Sequence, residues 1–165
     1  MAGAAKTGAA ADAQAGLYER DYYAWILDQV RALRERRTGE IDWENVAEEI
    51  EDLGKSEKRG FGSQIARLYE HLLKLAYARA RMLEENRRGW ELSVRSARRN
   101  IRKLLEESPS LRAKIADLIG HAFQSGRDAA LGSLNVPDEG IPEKCPWGFE
   151  QAMDDAFLPK EEYSE

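Results

Sequence analysis

The chain has 165 residues, 42% of them hydrophobic and 33% charged, with a formal net charge of -5 and one cysteine. A chain of this length can bury a continuous core as one domain, and no apolar run approaches the roughly 20 residues that a lipid-crossing helix requires. A lone cysteine excludes an internal disulfide and a multi-thiolate zinc site, and the net acid argues against non-specific nucleic-acid binding by the chain as a whole.

The opening MAGAAKTGAAADAQAG lacks the apolar core of a secretory signal and is too poor in large side chains to offset its own ordering, so residues 1–16 are expected to be a flexible leader. Without a secretion signal or cysteine pair, a reducing, cytoplasmic setting is expected. Tyr22, Ile26, Val30 and Leu33 then recur at helical spacing, widened by Trp25 and Leu27, and RERRTGE carries basic residues toward a glycine stop. Ile41 and Asp42 read as a helix start: Asp42 caps free amides, and Ile41 is placed to pack on Val46.

The second helix is expected from about Trp43. Its apolar face is Trp43, Val46, Ala47, Ile50 and Leu53, and the same phase resumes through Phe61, Leu68, Leu72, Leu75 and Met82. Gly54, Gly60 and Gly62 each weaken a helix by up to about 1 kcal/mol relative to alanine, which predicts a kink or two nearly collinear helices. ENRRG marks a turn. Trp90, Val94, Ala97, Ile101 and Leu104 form a third helix ending at EESPS, where Ser108 caps and Pro109 opens the next helical turn.

Leu111, Ile115, Leu118, Ala122 and Ala129 mark a fourth helix. LNVPDEGIPEKCP cannot continue it and predicts an irregular strap, followed by a short helix carrying Trp147, Phe149, Met153 and Phe157. Sustained period-two alternation is absent. The expectation is an all-α, up-down bundle of four main helices with a short C-terminal helix, forming a single domain over 17–159 with a flexible acidic tail at 160–165.

The acid-rich stretch IDWENVAEEIEDLGKSE places Glu44, Glu48 and Glu51 on one side of the second helix, away from Ile50, with Glu49 and Asp52 on a flank. That pattern reads first as a solvated face. A sharper candidate is the polar seam Glu57, Gln64 and His71, seven apart on the apolar stripe, with Glu49 nearby and Asp42 assisting. It suits a metal or proton transfer, weighed against a hydrogen-bonded network that fixes helix register. Neither histidine follows a glutamate by three residues, and H-E-x-x-H, G-x-S-x-G and the phosphate-loop signature are missing. No cofactor, confident metal site or familiar catalytic apparatus is implied.

On the third helix Arg95, Arg98, Arg99 and Arg102 form a candidate anion-binding face, with Arg87, Arg88 and Lys103 close by. Trp90 is its only aromatic, which weakens the case for single-strand binding, and pairing with the acidic second helix or an acidic partner is the stronger reading. Cys145 precedes Pro146 at an expected helix start, where the dipole would favour thiolate, although a packed cysteine is the simpler account.

The stretches LYERDYYAWILDQV, IDWENVAEEIEDLGKSEKR, HLLKL, SPSLRAKI and CPWGFEQAMDDAFLP together resemble the bacterial domain of unknown function 29 family, over about Leu17 to Pro159. The family pattern is matched at Tyr22, Trp25, Asp42, Trp43, Glu48, Glu49, Ser56, Glu57, His71, Ser108, Pro109, Cys145, Pro146 and Phe157 to Pro159, while Gly60 and Gly62 depart from it. The resemblance implies an all-helical cytoplasmic protein with no established activity.

The functional expectation is a non-enzymatic interaction or structural module with a protein partner or a second copy. A Glu/His metal or enzyme site and a nucleic-acid contact through the third helix are the alternatives.

Overall fold

A computed structural model describes residues 16–162. The expected leader lies outside them apart from Gly16, as do the last three residues of the expected tail. The protein is all-α, with helices α1 (Tyr22–Arg34), α2 (Trp43–Tyr77), α3 (Ala80–Glu107), α4 (Ile115–Leu134) and the short α5 (Phe149–Met153). Short 3₁₀ turns occupy Thr38–Glu40, Pro109–Lys114 and Asp138–Gly140. Among the described residues no strand is present, and no helix is long and apolar enough to cross a membrane.

The chain divides into two compact units, Met1–Ser56 and Glu57–Glu165. In the first, a helical turn at 16–20 leads to Asp21, whose carboxylate accepts from the Ala24 amide at 3.0 Å and caps α1. The helix stops at Arg34, five residues short of the expected glycine stop at Gly39. Arg36 takes the left-handed conformation (φ 56°), the Arg37 amide donates to Ala32 at 2.9 Å, and the Arg36 amide donates to Leu33 at 3.2 Å. This is a Schellman ending with arginine where glycine is the cheaper residue.

Asp42 starts α2 as expected: its backbone oxygen takes the Val46 amide at 2.9 Å, and its carboxylate takes the Asn45 side-chain amide at 2.7 Å. Cross-contacts within the unit join Tyr22 to Glu49 and Gln29 to Asp42, so α1 and the start of α2 run antiparallel.

Of the two expected forms, the single long helix and the collinear pair, α2 takes the first: it is one helix of 35 residues through Gly54, Gly60 and Gly62. Helix can continue because the glycine penalty, about 1 kcal/mol each, is spread over a long cooperative segment. A side chain at Gly54 or Gly60 would meet nothing within 4 Å, so no close approach requires glycine there.

In the second unit the later part of α2 supplies Phe61, Ile65, Leu68, Leu72 and Leu73, all fully buried, against Val94, Ala97 and Ile101 of α3 and Phe123 and Ala130 of α4. The turn between α2 and α3 falls at Ala78 and Arg79, so the expected turn at ENRRG is instead helix interior, and Met82 belongs to α3. No Gly or Pro marks this corner; Ala78 is 2% exposed, and burial of Leu75, Ala78 and Leu83 sets the bend where propensity gives no signal.

The backbones of α4 and α2 meet at Gly126, where an added Cβ would lie 2.5 Å from the Ala66 carbonyl oxygen. Asn135, left-handed at φ 51°, ends α4.

Candidate functional site

The first unit carries a groove of about 280 Å³ between α1 and α2, walled by Trp25, Ile26, Val30 and Leu33 on one side and Val46, Ile50 and Leu53 on the other. Of the expected stripe on α1 Trp25 is buried, and the other buried positions, Gln29 and Ala32, lie outside it. Tyr22, Leu27, Val30 and Leu33 are exposed. The expected core face of α2 is corrected more sharply: Trp43, Ile50 and Leu53 are 58%, 63% and 71% exposed. The reason is supply, since among the described residues of this unit only α1 and the helical turn before it lie against this part of α2, too little to cover its apolar stripe.

Glu49 sits at the edge of this groove. Tyr18 and Tyr22 donate to its two carboxylate oxygens at 2.7 and 2.5 Å, and both rings pack on Trp25 with centroids 4.8 and 5.9 Å away. Trp25 in turn donates to Asp42 at 3.3 Å, while Gln29 accepts the Asp42 amide at 2.8 Å. The hydrogen bond to Glu49 pushes the Tyr18 hydroxyl up to about 12 and raises that of Tyr22, since losing either proton would face two negative groups together. Glu44, Glu48 and Glu51 are exposed, as their helical positions predict.

The rest of the polar seam lies in the second unit and does not converge. Glu57 accepts from the Ser108 hydroxyl, which is therefore engaged there instead of capping a helix. Gln64 accepts from Asn100 of α3 at 3.1 Å. His71 lies about 21 Å from Glu57 along α2, at 1.5 Å per residue, in an open cleft of about 500 Å³ shared with Ser63, Arg67, Glu70, Ser125 and Gly126. Residues seven apart share a face, but each step also advances about 10 Å along the axis, too far for one ion.

The His71 Nδ1 atom is buried without a hydrogen-bond partner. Burial holds its pKa below the usual histidine value, opposed by Glu70 and assisted by Lys74 and Arg67, so the ring is neutral near pH 7. Beside it the half-buried Glu70 pairs with the buried Lys74. Among the described residues no group of three or more His, Cys, Asp or Glu side chains is arranged to hold a metal ion.

The four arginines of the expected anion-binding face separate. Arg98 is corrected from surface to core: it is 1% exposed, and its guanidinium donates to the Ala152 and Phe157 carbonyl oxygens, each at 2.8 Å. Arg102 follows one turn later, donating to Met153 O at 3.0 Å and Asp155 at 2.8 Å. Arg95 and Arg99 are exposed, Arg95 lying 3.8 Å from Glu91.

Arg127 of α4, which sequence reasoning missed, is 5% exposed and donates to Ile141 O at 2.9 Å and Pro142 O at 3.0 Å. Its signal was legible, because Phe123, Arg127, Ala130 and Leu134 keep one helical phase. A cation on an apolar face must find acceptors.

Cys145 follows the packed reading and not the thiolate alternative. The helix begins four residues later at Phe149, the thiol donates to Trp147 O at 2.8 Å, and burial raises its pKa.

No curated protein and no solved structure matches the chain. A family model described as Domain of unknown function DUF29 does, over residues 17–158. With a match spanning all but the ends, the chain belongs to the DUF29 family.

Proposed function

We propose that this chain is a non-enzymatic interaction module that receives a partner protein's amphipathic helix in the apolar groove of its first unit. The carrying observation is the exposure of Trp43, Ile50 and Leu53 on α2 together with Val30 and Leu33 on α1. All the exposed large hydrophobics among the described residues lie in the first unit, apart from Leu92 and Leu158. Contiguous apolar surface of this kind marks contact sites, and covering a leucine or isoleucine fully contributes about 1.5–3 kcal/mol.

The groove lies between two antiparallel helices, whose side-chain ridges suit a third helix. The polar groups that would suit chemistry are largely engaged with the chain itself: Glu49 with two tyrosines, Glu57 with Ser108, Gln64 with Asn100, and Arg98 with backbone carbonyls.

Size-exclusion of a lysate from cells expressing the chain at native level tests the reading. The wild type is expected to elute well above its 18.7 kDa mass. Leu53→Asp is expected to elute as the free monomer with unchanged helicity, and Leu92→Asp to behave as wild type. A monomeric wild type, or equal behaviour of the two variants, overturns it.

A further inference from the structure

We infer that the partner in this groove is a second copy of the chain, related by a two-fold axis parallel to the helices, so that α1 of each copy packs on α2 of the other. The inference rests on the interaction reading above and commits it to one occupant.

Three observations carry it. First, both walls present the same repeat: Ile26, Val30 and Leu33 on α1 and Val46, Ile50 and Leu53 on α2 are each spaced four and then three. A two-fold contact requires a self-complementary surface, and an axis along the helices keeps each residue at its own level, so it sets Ile26 of one copy against Val46 of the other and Tyr22 against Ile50.

Second, the rims carry opposite charge. At about 100° per residue, Arg31 and Arg34 lie on the side of α1 away from α2. Glu44, Glu48 and Glu51 lie on the side of α2 away from α1, with Lys55 the one base among them. All six of these side chains are exposed.

Third, that asymmetry selects one two-fold. An axis lying in the contact plane across the helices would set basic rim on basic rim and acidic on acidic. An axis in the same plane but parallel to the helices sets each basic rim beside the other copy's acidic rim, and makes every neighbouring helix antiparallel. The antiparallel alignment of Tyr22 with Glu49 and Gln29 with Asp42 then sets Arg31 of one copy about 6 Å along the axis from Glu44 of the second, inside the reach of an arginine. The face is about 20 Å square, from 13 residues of α1 at 1.5 Å each and two helices about 10 Å wide. Two such faces bury roughly 800 Å² in all, below the size of stable interfaces and in the range of weak, transient contacts, so a dissociation constant no tighter than micromolar is expected.

The test uses the full chain and two rim variants, Arg31→Glu with Arg34→Glu and Glu44→Lys with Glu48→Lys, in light scattering and sedimentation over a micromolar concentration series. The wild type is expected to reach twice the chain mass, and more weakly as salt rises. Each rim variant alone is expected to dimerise at least about tenfold more weakly, and an equimolar mixture to recover wild-type affinity as a heterodimer. Circular dichroism serves as the folding control.

A wild type that stays monomeric at several hundred micromolar overturns the inference, as does association unaffected by either variant or a mixture that fails to recover. If the purified chain is monomeric while the lysate complex still depends on Leu53, the self-pairing fails and the interaction reading stands.

Discussion

The two ends of α2 obey the same rule in sequence and meet opposite fates. Trp43, Ile50 and Leu53 near its start repeat at the spacing of Phe61, Leu68 and Leu72 near its end, yet the first three are more than half exposed and the last three fully buried. Between them Glu51 to Gly60 are exposed without interruption. Periodicity therefore reports that a helix has an apolar side, and carries no information about whether the chain supplies a cover for it. In the second unit α3 and α4 supply that cover; in the first, α1 covers only part of the stripe.

The largest way to break this contrast is to remove the same kind of side chain from each end. Leu72→Ala is expected to cost about 2–5 kcal/mol and Ile50→Ala less than about 0.5 kcal/mol in the monomer, measured by urea unfolding below the concentration at which the chain associates. Equal costs would mean that the groove is packed in the free chain.

Arg98→Met comes next. It leaves the Ala152 and Phe157 oxygens without their donor, and about 2–4 kcal/mol is expected from unmet buried acceptors, with hydrogen exchange first accelerating in the C-terminal segment.

Smaller and opposite in sign is Gly54→Ala with Gly60→Ala. Neither position is crowded, so each is expected to add about 0.5–1 kcal/mol by lowering the entropy of the unfolded chain. Gly126→Ala is the matched control: its Cβ would collide with the Ala66 carbonyl, so a loss of about 1–3 kcal/mol in thermal unfolding is expected.

The smallest effects are in pH dependence, and they differ between the units. His71 binds its proton less readily folded than unfolded, so its contribution is present above the ordinary value of 6.5 and is lost as pH falls below it. Tyr18 is raised from 10.0 to about 12, so its bond to Glu49 supports the fold below pH 10 and is lost as pH rises through about 12. Stability profiles of His71→Gln and Tyr18→Phe are expected to flatten at the acid and alkaline limbs respectively. The opposite assignment would show that these groups are not the ones titrating.

Much of the fold was legible because long helices announce themselves: the phase through Phe61, Leu68 and Leu72, the start at Asp42 and the stop before Pro109 are local chemistry. The corner at Ala78 and Arg79 was not, because no turn-forming residue marks it and tertiary burial alone makes it. Asn86 to Gly89 misled for the converse reason, as turn-prone residues are carried inside α3 by the packing on either side. For the candidate polar groups, the helical wheel placed Glu57, Gln64 and His71 on one stripe but ignored rise along the axis. The wheel also counted Arg98 as surface charge although its neighbours Ala97 and Ile101 mark that face as apolar.

The clasp made by Arg98 and Arg127 grips main-chain oxygens at Ala152, Phe157, Ile141 and Pro142. Such a fastening is blind to the side chains it holds and sensitive to how many links separate them. Away from the family-matched Cys145, Pro146 and Phe157 to Pro159, the composition of these segments is free to drift across relatives, whereas deleting a single residue between Ala152 and Phe157 would carry an oxygen out of reach and let the end of the chain come loose.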